Sequence, residues 1–145
     1  MTNLLDMTAH YLDADNQIVG RLASCVAKSL LKGDVVFVVN AEKAVISGRP
    51  RATIELYRTK TERGDAYHGP FYPTQPDKFI KRVIRTMLPR NPRGRIALKK
   101  LTVYLSKPAE LENKQFTKLK AAENKLSGKF ITIGEICNEL TGRAY

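Results

Sequence analysis

Residues 34–39 read DVVFVV, and an unbroken β-branched and aromatic run of this kind belongs to a strand covered on both faces, which favours a parallel sheet. The preceding residues fit that demand. His10–Ala14 is a strand candidate, and Asp15 or Asn16 can cap a helix whose apolar positions, Ile18, Leu22, Cys25, Val26 and Ser29/Leu30, recur at three and four until Gly33 stops it. Strand, helix and buried strand make a βαβ unit. Asn40–Lys43 then turns, Ala44–Ser47 supplies a third strand, Gly48 closes it, and Pro50–Tyr57 is a helix with Ala52, Ile54, Leu56 and Tyr57 as its less polar positions. Further on, Leu101–Leu105 alternates as a fourth strand, and Pro108 interrupts the chain soon after it. Ala109–Lys129 is either helical around Phe116, Leu119 and Ala122 or loosely ordered. Thr132 with Glu135 forms a capping-box pattern ahead of Ile133, Ile136, Cys137 and Leu140, and Gly142 ends that turn or two of helix.

A chain of 145 residues suits one domain, 1–145, burying roughly 70% of its unfolded surface. With 43% hydrophobic and 27% charged residues it is globular, and Val35–Val39, its longest apolar run, is far too short to cross a bilayer. The opening MTNLLDMTAHYLDAD has acids where a secretory signal has bases, which predicts a cytoplasmic protein. Cys25 and Cys137 lie far apart inside amphipathic patterns, so they read as buried free thiols, and His10 and His68 are isolated. No metal or cofactor is expected.

The charge is concentrated. Residues 49–100 hold fourteen Lys and Arg against four Asp and Glu, whereas residues 1–48 carry a net −1 and residues 101–145 a net +2. A soluble surface mixes its signs, so a single-sign field on one segment implies an anionic partner. The centre of that field is a helix over about 78–88, capped by Asp77 and stopped by Pro89. Phe79, Ile80, Val83, Ile84, Met87 and Leu88 share its apolar half, while Lys78, Lys81, Arg82 and Arg85 crowd the other. Arg90, Arg93, Arg95, Lys99 and Lys100 extend the cations through a punctuated loop into a second short helix. Between Thr59 and Pro76 periodicity disappears, leaving a long loop in which Arg63 lies near Tyr67, His68, Phe71 and Tyr72, with Arg58 and Lys60 at its start. Cations interleaved with aromatics suit an RNA strand, whose phosphates and open base faces both need partners. Phe71 and Tyr72 can equally pin the loop to its own core.

Competing chemistries fare less well. The turn after the first strand, ADNQIVGRLAS, has one glycine, Gly20, where a dinucleotide fingerprint needs three, and no phosphate-loop pattern. Asp13 and Asp15 suit a cap and a solvated acid better than a magnesium site. A nucleotide-binding α/β enzyme acting on an acidic substrate is the runner-up. No helix-turn-helix, zinc finger or basic zipper is legible, which favours RNA over sequence-specific DNA binding.

The run LDADNQIVGRLASCVAKSLLKGDVVFVVNAEKAVISG, followed by GPFYPTQPDKFIKRVIRTMLPRNPRGR, resembles the family of large-subunit ribosomal protein thirteen in its archaeal branch, over about residues 9–106. VGRLAS, VVNAEK with its SG sequel, and the basic helix with MLP and RG carry the likeness. The resemblance implies a three-layer α/β/α domain with a four-stranded, mostly parallel sheet, bound to large-subunit ribosomal RNA beside neighbouring ribosomal proteins. It further implies a structural and assembly role in the cytoplasmic ribosome, with no catalysis, small-molecule substrate, cofactor or membrane. The family's basic helix and its sequel fall on Lys78, Lys81, Arg82, Arg85, Arg90, Arg93, Arg95, Lys99 and Lys100 as expected phosphate contacts. Arg49, Arg51, Arg58, Lys60 and Arg63 form a second expected group, and Tyr67, His68 and Tyr72 are expected to stack on bases.

Overall fold

The computed structural model describes residues 8–145, so the acidic start of the chain lies partly outside the described residues. Three parallel strands form the main sheet in the order β1 (Ala9–Asp13), β2 (Val35–Val39) and β4 (Leu101–Val103). The VVFVV run is its central strand, with Tyr11 opposite Phe37 on one side and Phe37 opposite Thr102 on the other. Helix α1 (Val19–Lys32) joins β1 to β2, completing the βαβ unit, and Gly33 caps it at φ 108° by donating its N–H to the Leu30 and Ser29 carbonyls. The start of α1 uses no side-chain cap. Its N-cap is Ile18, whose N–H is satisfied by the Ala122 carbonyl at 2.7 Å, so Asp15 and Asn16 are not needed there.

Leu12, Val36, Val38 and Leu101 point to one face of the sheet and share a core with α1 and α3 (Pro76–Met87). Ala23 and Ala27 are buried on α1, and their small side chains let α3 lie close, with Phe79, Ile80 and Ile84 fully buried. The opposite face of the sheet is aromatic. Tyr11 and Phe37 stack there at 5.1 Å, and Phe116, from an irregular segment after β4, meets Tyr11 edge-on at 5.9 Å. Residues 109–129 contain two single-turn 3-10 segments, Ala109–Leu111 and Lys120–Ala122, and no α-helix.

The four-stranded sheet is corrected by β3 (Val45–Ser47), which does not join β1, β2 and β4. It pairs antiparallel with β5 (Phe130–Thr132), a strand not foreseen, with Ile46 opposite Ile131. The reason lies in the backbone. The Val45 N–H donates to the Gln17 carbonyl at 2.8 Å, the Ile133 N–H donates to the Ala44 carbonyl at 2.9 Å, and the tail thereby supplies the partner that the main sheet does not. Immediately after β5, Thr132 and Glu135 form a complete capping box that starts α5 (Ile133–Thr141). Cys137 is fully buried on this helix, whereas Cys25 is only half-buried, since Ala23 and Ala27 occupy the inner stripe of α1 in its place. No described helix is long and apolar enough to cross a membrane.

Candidate nucleic-acid interface

Helix α3 starts at Pro76 rather than at Lys78, with Gln75 as N-cap. Proline's locked φ suits the first helical position and its missing N–H costs nothing there, so Asp77 sits inside the first turn, where its charge favours the helix dipole. Leu88 follows at ψ 149°, the extended backbone that a residue before proline adopts. The two-faced character holds with one change: Met87, at 42% exposure, leaves the apolar half. Lys78, Lys81 and Arg85 are exposed, and Arg82 is half-buried.

After Pro89, the Asn91 side chain accepts from the Gly94 N–H at 3.0 Å and begins α4 (Pro92–Lys99). Gly94 is required here because a Cβ would run into the Pro89 carbonyl. This corner points Arg90, Arg93, Arg95 and Lys99 outward. Two cations also hold it down: Arg93 donates to the Leu31 carbonyl at 3.2 Å and Lys100 to the Gly33 carbonyl at 2.8 Å, at the C-terminal end of α1. That end has unpaired carbonyls and partial negative charge, so cations there stabilise the α1–α4 contact. This double role is not legible in a charge count.

Helix α2 (Pro50–Glu62) is five residues longer than its expected end at Tyr57. Thr59 and Thr61 tolerate the helix because their hydroxyls donate to the Glu55 and Tyr57 carbonyls one turn back. The loop therefore starts at Arg63. In it, the Asp65 carboxylate accepts from the N–H groups of His68 at 2.6 Å and Tyr67 at 3.0 Å, which holds its pKa below the ordinary carboxylate value. Tyr67 is left 90% exposed and Phe71 67% exposed. Tyr72 instead turns inward against Tyr57 and Phe79, with the Arg82 guanidinium 4.5 Å and the Lys60 ammonium 5.9 Å from its ring centroid. Burial, followed by the neighbouring Tyr57, raises its hydroxyl to about 12. The two alternatives for this pair divide by residue: Tyr72 pins the loop and Phe71 faces outward.

The expected cations fall on different surfaces. Arg82, Arg85, Arg90 and Arg95 line one cleft with Phe71, and Lys60 and Arg63 meet Arg82 in a second. Arg51 and Arg58 share a third with Glu55, Glu62 and Glu139, a mixed field less suited to phosphate. Arg49 is the N-cap of α2. One cation outside the expected set, Arg143, lies with Lys78 and Tyr145 in a cleft beside α3; it follows Gly142 alone, and only the packing of the tail brings it there. Among the described residues, no Lys or Arg between 49 and 100 lies within 4.0 Å of a carboxylate, whereas Lys118 and Lys125 of the tail are ion-paired.

The turn considered for the runner-up enzyme is filled by the chain itself. Lys118 binds Asp15 at 2.7 Å, the Asp13 carboxylate accepts from the Asn40 amide at 2.8 Å, and the Asp13 N–H donates to the Thr117 carbonyl at 3.1 Å. With Ala122 capping α1, residues 117–122 lie where a nucleotide phosphate would approach the helix N-terminus.

The sequence model described as Ribosomal protein L13 matches residues 7–110. The chain is 45% identical over 133 residues to large ribosomal subunit protein uL13 of Methanosarcina barkeri, covering 89% of this chain and 95% of that one. It is 43% identical over 136 residues to the protein of the same name from Picrophilus torridus, covering 93% and 98%, and 43% identical over 136 residues to that of Aeropyrum pernix, covering 89% and 87%. Matched along most of its length by both kinds of comparison, the chain belongs to the ribosomal protein L13 family.

Proposed function

We propose that this protein is a structural constituent of the large subunit of the cytoplasmic ribosome, binding large-subunit ribosomal RNA through the α3–α4 surface and supporting subunit assembly. The observation that carries the reading is the set of fourteen cations between residues 49 and 100 that have no carboxylate partner among the described residues, on a chain whose family is ribosomal. Lys78, Lys81, Arg85, Arg90, Arg95 and Lys99 contact phosphates directly. Arg82, Arg93 and Lys100 combine contact with holding the surface in shape. Lys60 and Arg63 extend it toward the loop, while Arg49, Arg51 and Arg58 form a flanking group. Tyr67 and His68 offer exposed rings to unpaired bases, and Tyr72 contributes through the position it gives Arg82. Neighbouring large-subunit proteins pack against the remaining exposed surface.

Filter binding to deproteinised archaeal large-subunit ribosomal RNA tests this. If 6 to 10 phosphates are neutralised, affinity falls by about 10³ to 10⁵ between 50 and 200 mM salt. A flat salt dependence, or no binding, overturns the proposal.

A further inference from the structure

The cleft between the Pro70–Phe71 turn and the α3–α4 corner has a volume of about 570 Å³, inside the roughly 300 to 1,000 Å³ range of small-ligand sites. It is lined by Arg82, Arg85, Arg90 and Arg95, with Phe71 and Leu98 among its apolar residues and no carboxylate. Such a combination is unusual for a surface that only tracks a phosphate backbone, which needs cations but no apolar wall. Phe71 is 67% exposed, although a large apolar side chain in a domain of this size could ordinarily find a place in the core, as its neighbour Tyr72 does.

The backbone holds Phe71 there. Arg82 donates to the Phe71 carbonyl at 2.9 Å while lying over the Tyr72 ring, so one side chain ties the turn to α3 from both sides of the Phe71–Tyr72 peptide. The opposite wall is equally constrained, because the close approach of Gly94 to Pro89 and the docking of Arg93 and Lys100 on α1 fix where Arg90 and Arg95 emerge. An exposed aromatic ring in a cleft lined also by arginines matches a base together with its flanking phosphates.

From this we infer that the cleft takes a single unstacked nucleotide of the bound RNA, its base on the Phe71 ring and its flanking phosphates on Arg85, Arg90 and Arg95. The inference rests on the ribosomal RNA reading above and adds to it a discrete single-stranded element at a defined place. Phosphate contacts alone are indifferent to base pairing; this site requires a base out of the helix.

The test uses the full chain with deproteinised archaeal large-subunit ribosomal RNA, comparing wild type, Phe71→Ala and Phe71→Tyr across 50 to 200 mM salt. Loss of one stacked base weakens Phe71→Ala by about 5- to 150-fold. Its salt slope is unchanged, since no phosphate contact is lost, and Phe71→Tyr restores binding because it restores the ring. A photo-crosslinking phenylalanine at position 71 joins to one nucleotide, unpaired in the RNA secondary structure. Because Phe71 is exposed, the melting temperature of all three proteins is the same. Wild-type binding with a steep salt slope, but with Phe71→Ala within about twofold of it, overturns this inference and leaves the RNA reading standing. Crosslinks confined to paired nucleotides, or to protein when whole subunits are used, do the same. Absence of salt-sensitive binding by wild type overturns both.

Discussion

Ile84 and Arg85 are consecutive on α3, one fully buried and the other exposed, so folding and binding separate between neighbouring residues. Ile84→Ala empties a core position and is expected to cost about 2 to 5 kcal/mol, a large share of the 5 to 15 kcal/mol typical of a domain. Thermal melting reads the loss, and RNA affinity measured where the variant remains folded is unchanged. A different residue reports on pH. Burial, with a smaller contribution from Asp77, raises the Cys137 thiol from 9.0 to about 12. A folded pKa above the unfolded one means that the contribution to stability is complete below pH 9 and is lost as pH rises from 9 toward 12. Tyr72, raised from 10.0 to about 12, adds a second loss that begins one unit higher. Stability measured by urea unfolding therefore declines from pH 9, and in Cys137→Ala, although less stable at neutral pH, the decline between pH 9 and 10 is shallower. Equal slopes in the two proteins would show that the thiol is not the group responsible.

At the scale of the element, α3 offers a cleaner separation than its charges alone suggest. Lys78, Lys81 and Arg85 are exposed and make no ion pair with a described carboxylate, so changing all three to Glu alters stability by about 1 kcal/mol or less. RNA affinity falls by orders of magnitude, since three attractions become repulsions. Normal binding by this variant would remove α3 from the interface. Arg82 is unsuitable for that test, because its bond to the Phe71 carbonyl and its contact with Tyr72 tie down the loop. Arg82→Ala is instead expected to speed amide hydrogen exchange at Phe71 and Tyr72 in the free protein while leaving the buried turn around Ile80 and Ile84 protected. The α3 pattern was readable from sequence because side chains three and four apart share a face whatever surrounds them. The end of α2 was not, since its last turn depends on Thr59 and Thr61 returning their hydroxyls to the helix backbone, a choice threonine makes in some settings and not in others.

For the molecule as a whole, the cationic surface and the loop over residues 63–75 are expected to be the segments most changed by RNA. In the free protein Tyr67 and His68 are exposed and the part of the loop ahead of the Phe71 turn tied down by Arg82 has no regular ladder of hydrogen bonds, so its amides exchange readily; in the complex they become protected. Equal protection in both states would mean that the loop stays outside the interface. The sequence alone determined the βαβ unit, the two faces of α3, the capping box of α5 and the concentration of charge in the middle third, because each arises from local periodicity, capping chemistry or counting. Its long motifs also led to the family. Only the tertiary structure decided where short or irregular segments find their partners. Three residues at 45–47 cannot specify which sheet they join, and it was the tail that paired with them. Likewise 117–122 closes the first strand-to-helix turn through backbone carbonyls, groups that every residue possesses and that leave no mark in a sequence. The division of the basic residues between open contacts and α1 anchors has the same origin. A lysine is cationic at any position, but whether its ammonium group reaches a carbonyl of the same chain or remains open to a phosphate depends on what folds up beside it.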